Sequence, residues 1–522
     1  MIGASIPIAG TRDRLRAKLC TADEAVALIG SGRTVACGGF VGAGHPEALS
    51  AALEQRFLRE HAPTDLTLVY AAGQGDGAHR GLNHLAHPQL VRRVIGGHWG
   101  LAPKLGAMAI AGACEAYNLP QGVVCQLLRD IAAGRPGCIT HIGLGTFVDP
   151  LHGGGRINAR TTEPIVERIE LGGRTWLWYH AFPVHVGLIR AAAADPLGNL
   201  IMDDEAMVGD VLAIAQAAHN CGGIVLAQVG RLLEAPADPH LVRVPGILVD
   251  RVVLADATDH AITFAEQTNA SYHHAAPPGG IPRPAALPLD ERRIIAARAC
   301  DELTPGAIAN IGIGIPEGIA CIACERGLLD DVTLTLESGP IGGVPAGGLS
   351  FGASAFPHAI VDQPAQFDFY DGGGLDFAAL GAAQIDRNGD VNVSRFGDRL
   401  AGVGGFINIT QTAKRLVFCG TFTAGGLAVE VSGGHLRIAS EGRTRKFVER
   451  VDQVSFSAAR ARELGQAVMY VTERAVFRLG AQGLEVVEVA PGIDLQTQVL
   501  DLLPFPVVVH AQKAMPAHVF AS

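Results

Sequence analysis

The sequence predicts an α/β protein built from two related open α/β halves fused in one chain. Three observations carry that expectation. First, 66 of the 522 residues are glycine, roughly twice the usual share, while 48% are hydrophobic and only 5% aromatic. Such a mixture suits buried parallel strands joined to helices by tight turns. Second, the order of elements near the start of the chain recurs after residue 290. Third, Ala275-Ala-Pro-Pro-Gly-Gly-Ile-Pro-Arg-Pro-Ala-Ala-Leu-Pro288 lies between the two copies and reads as a linker by its prolines and glycines. We place the boundary at 285, giving halves 1–285 and 286–522.

In the first half, Thr21-Ala-Asp-Glu24 is a capping box that opens a short helix. Thr34 to Cys37 follows as a strand, then the loop Gly38-Gly-Phe-Val-Gly-Ala-Gly-His-Pro46, then a helix from Glu47. In the second half the same order gives helix Arg292–Glu302, strand Ala307–Ile311, loop Gly312-Ile-Gly-Ile-Pro316 and a helix from Glu317. Gly44-x-Pro-Glu47 and Gly314-x-Pro-Glu317 stand 270 residues apart. A second pair, Asp195-Pro-Leu-Gly198 and Asp386-Arg-Asn-Gly389, stands 191 apart, so the second copy is shorter in its middle. Each of these is followed by an apolar strand, Ile224-Val-Leu-Ala-Gln-Val and Arg415-Leu-Val-Phe-Cys.

Composition excludes several classes. Lys and Arg number 41 against 51 Asp and Glu, a net charge of −10, which lacks the basic footprint of nucleic-acid binding. Mean hydropathy is +0.26, outside the disordered range. No run of about 18 apolar residues implies a membrane span. The segment Met1–Leu19 carries its basic residues without the following apolar stretch of a signal peptide. Ten cysteines are scattered without framework spacing, as expected of reduced thiols in a cytoplasmic protein. Cys321-Ile-Ala-Cys324 is the one CxxC, without a second pair to complete a metal site.

Candidate chemistry centres on Val332-Thr-Leu-Thr-Leu-Glu337-Ser-Gly-Pro. Val332 to Leu336 reads as a strand, which sets Glu337 at its carboxyl end, where parallel sheets bind ligands. Two readings stand for this carboxylate: a catalytic group, or a cap for the turn. Glycine loops are the second group. Gly38-Gly39-Phe40-Val41 follows a strand and precedes a helix, and Gly402-Val403-Gly404-Gly405-Phe406 is its like in the second half. Their amides suit an anion or a developing oxyanion; close helix–sheet packing is the other reading. The irregular glycine spacing and missing Walker lysine argue against a nucleotide cofactor. Polar residues among glycines, Gln74, Asp76 and Gln121, form a third group. The histidines show no metal spacing, and Ser338 and Ser350 lack a nucleophile elbow.

Taken together, these segments resemble the family I coenzyme A transferases of the single-chain acetate/propionate type. The resemblance runs from about Thr21 to about Gln512. It is densest in Leu334-Thr-Leu-Glu337-Ser-Gly-Pro-Ile-Gly-Gly-Val-Pro-Ala-Gly-Gly-Leu-Ser-Phe-Gly-Ala-Ser354 and in Val361-Asp-Gln-Pro-Ala-Gln-Phe-Asp-Phe-Tyr-Asp-Gly-Gly-Gly374. Ala72-Gly-Gln-Gly-Asp76, Gly96-Gly-His-Trp99, Tyr117-Asn-Leu-Pro-Gln-Gly122 and Thr146-Phe-Val-Asp-Pro150 add to it. Two-subunit relatives write the active-site turn Ser-Glu-Asn-Gly; here it is Leu336-Glu337-Ser338-Gly339, which suits the single-chain branch.

The resemblance implies the CoA-transferase fold and transfer of CoA between short-chain acyl-CoAs and carboxylic acids, with no permanently bound cofactor. It implies that Glu337 is the nucleophile, that CoA is both substrate and covalent glutamyl-thioester intermediate, and that the enzyme is a homotetramer. Gln121 matches the glutamine expected beside the nucleophile. Amides of Gly39, Phe40 and Val41, with Gly404 and Gly405, are then candidates for the oxyanion hole. Gln384 and the Gly402–Gly405 loop are candidates for the CoA channel, and small residues at Gly347, Gly348 and Ala353 favour a short acyl group. An acyl-CoA hydrolase on the same scaffold and a non-catalytic CoA-ester sensor are the alternatives.

Overall fold

The computed structural model describes residues 11–278, 280 and 286–521. Residue 285, where the sequence places the boundary between halves, lies outside the described residues. In the first half, parallel strands run in the order Glu115–Asn118, Val91–Gly96, Leu66–Tyr70, Thr34–Cys37, Val186–Ala194, Ile224–Leu232, Arg251–Leu254. In the second, Thr333–Thr335, Ile308–Ile311, Phe377–Gly381, Arg415–Cys419 and Ala467–Val471 lie side by side, also parallel. An antiparallel extension, Ala475–Gly480 and Gly483–Val489, continues that sheet. Both sheets share a central order: the second strand, the first, then three later strands in chain order; the first sheet alone adds Val91–Gly96 and Glu115–Asn118 beyond its second strand. Strand Val186–Ala194 is buried at every residue, as a parallel strand covered on both faces must be.

Local signals read from the sequence build these elements. Thr21 and Glu24 form the reciprocal capping box at the helix Ala22–Ala27, with Glu24 N–H donating to Thr21 Oγ1 at 3.2 Å. The strand expected at Thr34–Cys37 is found there. Helix Glu47–Glu60 opens at Glu47. Its counterpart opens one residue later than expected, at Gly318–Glu325. The expected strand at Val332–Leu336 is shorter, Thr333–Thr335, because Leu336 N–H turns back to Pro340 O at 3.0 Å.

The second repeat is a shared turn. Asp195 Oδ1 accepts from Leu197 N–H at 2.8 Å and Asn199 N–H at 2.9 Å. Asp386 Oδ1 accepts from Asn388 N–H at 2.9 Å and Asp390 N–H at 3.2 Å. Each turn closes an antiparallel hairpin. The longer middle of the first copy holds the parallel strands Val91–Gly96 and Glu115–Asn118 and a three-stranded sheet, Gly137–Thr140, Arg174–His180 and Val166–Leu171.

The halves are stitched by backbone hydrogen bonds at the Gly402 loop. Gly404 N–H donates to Gly97 O at 2.8 Å, and Gln121 N–H donates to Gly404 O at 2.9 Å. Val403 N–H donates to Asn118 Oδ1 at 3.0 Å. This junction sets the carboxyl ends of the Leu66–Tyr70 and Thr333–Thr335 strands on one cleft, which Ala72, Gly73 and Glu337 all line.

Candidate active site

Glu337 sits two residues past its strand, in a turn that glycine makes possible. Gly339 has φ +122°, and a Cβ there would lie 2.1 Å from Val361 O. Ser338 is buried beside it, its hydroxyl donating to Gly352 O at 2.5 Å, so the serine is a turn fastener. On the neighbouring strand, Asn310 Nδ2 donates to Glu337 Oε2 at 3.3 Å and to Thr335 O at 3.2 Å. Tyr370 Oη donates to Thr335 Oγ1 at 2.8 Å behind this pair.

The carboxylate faces a cleft of about 310 Å³ whose walls are mostly apolar, Phe40, Val41, Leu101, Phe351, Leu380 and Phe406 among them. Burial pushes the Glu337 carboxyl above the usual carboxylate range, while its own backbone amide and the Asn310 amide pull it back. Burial also pushes the His98 imidazole down to about 4, so this cleft histidine is neutral in neutral solution. Gln121, the first residue of helix Gln121–Ala132, is buried, and its Nε2 has no hydrogen-bond partner among the described residues. An unpaired amide donor and a desolvated carboxylate thus share one apolar cleft.

The structure brings Glu337, Gln121, Phe40, Val41, Gly402, Val403, Gly404 and Gly405 together around that space. Four expectations need correction. Phe40 N–H donates to Ala43 O at 2.9 Å and Val41 N–H to Gly73 O at 2.7 Å, so neither amide is free for an oxyanion. These residues present side chains to the cleft instead. Gly39 does not line the cleft: a Cβ on it would point at Gln74 Oε1, 3.0 Å away. Gln384 does not reach it either, because its amide is held by Asp452 Oδ2 at 3.1 Å and by Asn392 Nδ2 at 2.7 Å. In the Gly402 loop the Gly404 amide is taken by Gly97, which leaves Gly405 without an acceptor among the described residues.

Gln74 and Asp76 are structural as well. Gln74 Oε1 lies 2.7 Å from His45 Nδ1, and Asp76 Oδ1 accepts three successive backbone N–H groups. Sequence reasoning did not single out Asn310 or assign a role to His98. A lone amide in the apolar strand Ile308–Ile311 was the available signal for Asn310.

Two parallel sheets that turn their carboxyl ends to one cleft, with a buried carboxylate at its wall, give a two-half α/β protein with an enzyme-like site between its halves. The chain belongs to the coenzyme A transferase family. The family described as coenzyme A transferase matches residues 20–255. The chain is 40% identical over 518 residues to acetate CoA-transferase YdiF of Escherichia coli K12, covering 98% of this chain and 97% of the relative. It is 43% identical over 516 residues to the caffeate CoA-transferase of Acetobacterium woodii, covering 97% and 98%. The solved structure of E. coli O157:H7 acyl-CoA transferase YdiF in a thioester complex with CoA superposes with TM-score 0.91 at 39% identity, covering 97% of each chain. The protein is a CoA-transferase: it moves CoA between an acyl-CoA and a free carboxylic acid, with CoA as substrate and covalent thioester. Among the described residues, no helix is long and apolar enough to cross a membrane.

Proposed function

We propose that Glu337 is the nucleophile of a ping-pong CoA transfer between short-chain acyl-CoAs and monocarboxylic acids of the acetate, propionate and butyrate class. The observation that carries this is a single carboxylate desolvated in an apolar cleft beside the unpaired Gln121 amide. Glu337 attacks the acyl-CoA carbonyl, the C–S bond breaks, and a mixed anhydride forms with CoA thiolate. The thiolate attacks the glutamyl carbonyl, releasing the first acid and leaving a glutamyl-CoA thioester. The acceptor acid then runs these steps in reverse and regenerates the free carboxylate.

Each attack builds a tetrahedral oxyanion. Gln121 Nε2 and the Gly405 amide are our donors for it, replacing the committed amides of Phe40 and Val41. Apolar walls exclude the water that would hydrolyse the anhydride, and the Gly402–Gly405 loop forms the CoA channel wall.

A monocarboxylate is favoured because the described lining holds no Lys or Arg to pair a second carboxylate. The aromatic lining, with the 43% identical caffeate transferase, favours a second reading in which the acceptor is an aromatic acid. Acetate, propionate, butyrate and caffeate tested as acceptors against acetyl-CoA separate the two. We further propose a cytoplasmic homotetramer acting without nucleic acid or membrane, with the chain divided into halves 1–285 and 286–522.

Incubation with acyl-CoA alone is expected to add the mass of CoA to the Glu337 peptide. Label on Cys321, on Cys324 or nowhere defeats the assignment. Glu337→Ala should lose transfer entirely, and near-wild-type turnover in that variant reduces Glu337 to a turn cap.

A further inference from the structure

Beyond the cleft lining lies a set of buried polar side chains that the reaction as described leaves idle. Helix Gln363–Asp371 carries Gln363, Gln366 and Tyr370 at spacings of three and four, which aligns them on one face. The face is dry: Gln363 is 0%, Gln366 1% and Tyr370 0% exposed. At its start, Gln363 N–H donates to Gly209 O at 2.8 Å, which brings this end beside Asp210, itself 3% exposed. At its far end, Asn310 Nδ2 reaches Tyr370 Oη at 3.4 Å, and the same amide holds Glu337. The stripe therefore runs from Asp210 to the Asn310–Glu337 pair.

Along it, four polar atoms have no partner among the described residues, Asp210 Oδ1, Gln363 Oε1 and Nε2 and Asn310 Oδ1, and Gln366 Nε2 has only a loose approach to the Tyr370 hydroxyl. Leaving one such atom unpaired is costly, and buried polar groups of this kind are satisfied by ordered water. Oxygens of Asp210 and Asn310 stand at the two ends, and between them lie the Gln363 amide, with one acceptor and one donor group, and the Gln366 donor.

We propose that Asp210 is a positioning residue for Glu337, acting through buried water along the Gln363–Gln366–Tyr370 face onto Asn310. This rests on the reading of Glu337 as nucleophile. Protonated Asp210 donates toward Gln363 Oε1. The Gln363 and Gln366 amides donate onward through water, and Asn310 Oδ1 receives the last bond. That fixes the Asn310 amide with its Nδ2 toward Glu337 Oε2. Ionised Asp210 only accepts, so the bonds run the other way and Asn310 loses the donor that holds it.

Burial lifts the Asp210 carboxyl to about 7, its own backbone amide opposing and the like charge of Asp362 adding. The other titratable groups facing it are the thiols of Cys37 and Cys125, on strand Thr34–Cys37 and helix Gln121–Ala132, both kept neutral by burial. The protonated, active arrangement is therefore lost as pH rises through about 7.

The test is the single-turnover rate of glutamyl-thioester formation with acetyl-CoA, on both sides of about pH 7, in wild type, Asp210→Asn and Gln366→Leu. Wild type should slow as pH rises. Asp210→Asn keeps a neutral donor and should hold the low-pH rate throughout. Gln366→Leu should slow about tenfold at unchanged KM, the size of one lost buried hydrogen bond. A pH profile of Asp210→Asn that superposes on wild type overturns the proposal, as does Gln366→Leu at the wild-type rate. If Gln366→Leu fails to fold, the Asp210→Asn profile decides alone. No thioester in wild type removes the Glu337 assignment and this role with it; a wild-type thioester with unaltered variants removes the role alone.

Discussion

Glu337 is a carboxyl buried where the surroundings resist a negative charge, and the residues around it decide how readily it ionises. Burial lifts its carboxyl, and the Asn310 Nδ2 donation at 3.3 Å opposes that by stabilising the anion. On the proposed role of Glu337 the attacking form is the carboxylate, so the acid limb of kcat/KM should report this balance. Asn310→Leu removes the donor, which raises the carboxyl further and carries the acid limb to higher pH. Above that limb the variant should still be slower than wild type by about tenfold, since the carboxylate is also less well aimed. A pH–rate profile settles it. An acid limb left in place would mean that Asn310 shapes the strand and not the nucleophile. His98 needs no such balance: lowered to about 4, it contributes a neutral imidazole to the wall in neutral solution.

At the scale of elements, the Gly402–Phe406 loop is both a wall of the cleft and the seam between halves. Gly402 has φ +78°, and a Cβ there would stand 2.6 Å from Trp99 Cδ1 and 2.8 Å from Trp99 N. Gly402→Ala therefore meets both a disfavoured backbone region and a backbone clash, a strain of about 1–3 kcal/mol. We expect a lower melting temperature together with a raised KM for the CoA ester, because the seam and the proposed CoA channel wall are one loop. Wild-type values for both would show that the loop tolerates the displacement. This loop also marks what the sequence could and could not reveal. Its glycines announce close approach, as do the matched Asp195 and Asp386 turns, because such signals are local. The acceptor for the Val403 amide is Asn118, 285 residues away, and no local pattern names it. Phe40 and Val41 read as oxyanion donors because a tight turn exposes amides in sequence, but the fold gives the Phe40 amide to Ala43 O within the turn itself and the Val41 amide to the distant Gly73 O. Gln384 failed likewise through Asp452, 68 residues on.

For the whole molecule, the consequence of a shared cleft is that one ligand stabilises both halves at once. Glu337 and Asn310 come from the second sheet; Phe40, Gln121 and His98 come from the first half. All three tryptophans, Trp99, Trp176 and Trp178, lie in the first half, so their fluorescence reports that half alone, whereas far-UV circular dichroism reports both. In Glu337→Ala, acyl-CoA should bind without reacting, because the walls and the Gln121 amide remain. A ligand at a hundredfold its Kd adds about 2.7 kcal/mol to the folded state. The fluorescence transition should therefore move to higher temperature on adding propionyl-CoA, together with the circular-dichroism transition, although the substituted residue sits in the other half. A shift seen by circular dichroism with the tryptophan transition unmoved would place the ligand on the second sheet alone. The cleft would then be a neighbour of the first half and not a site built by both.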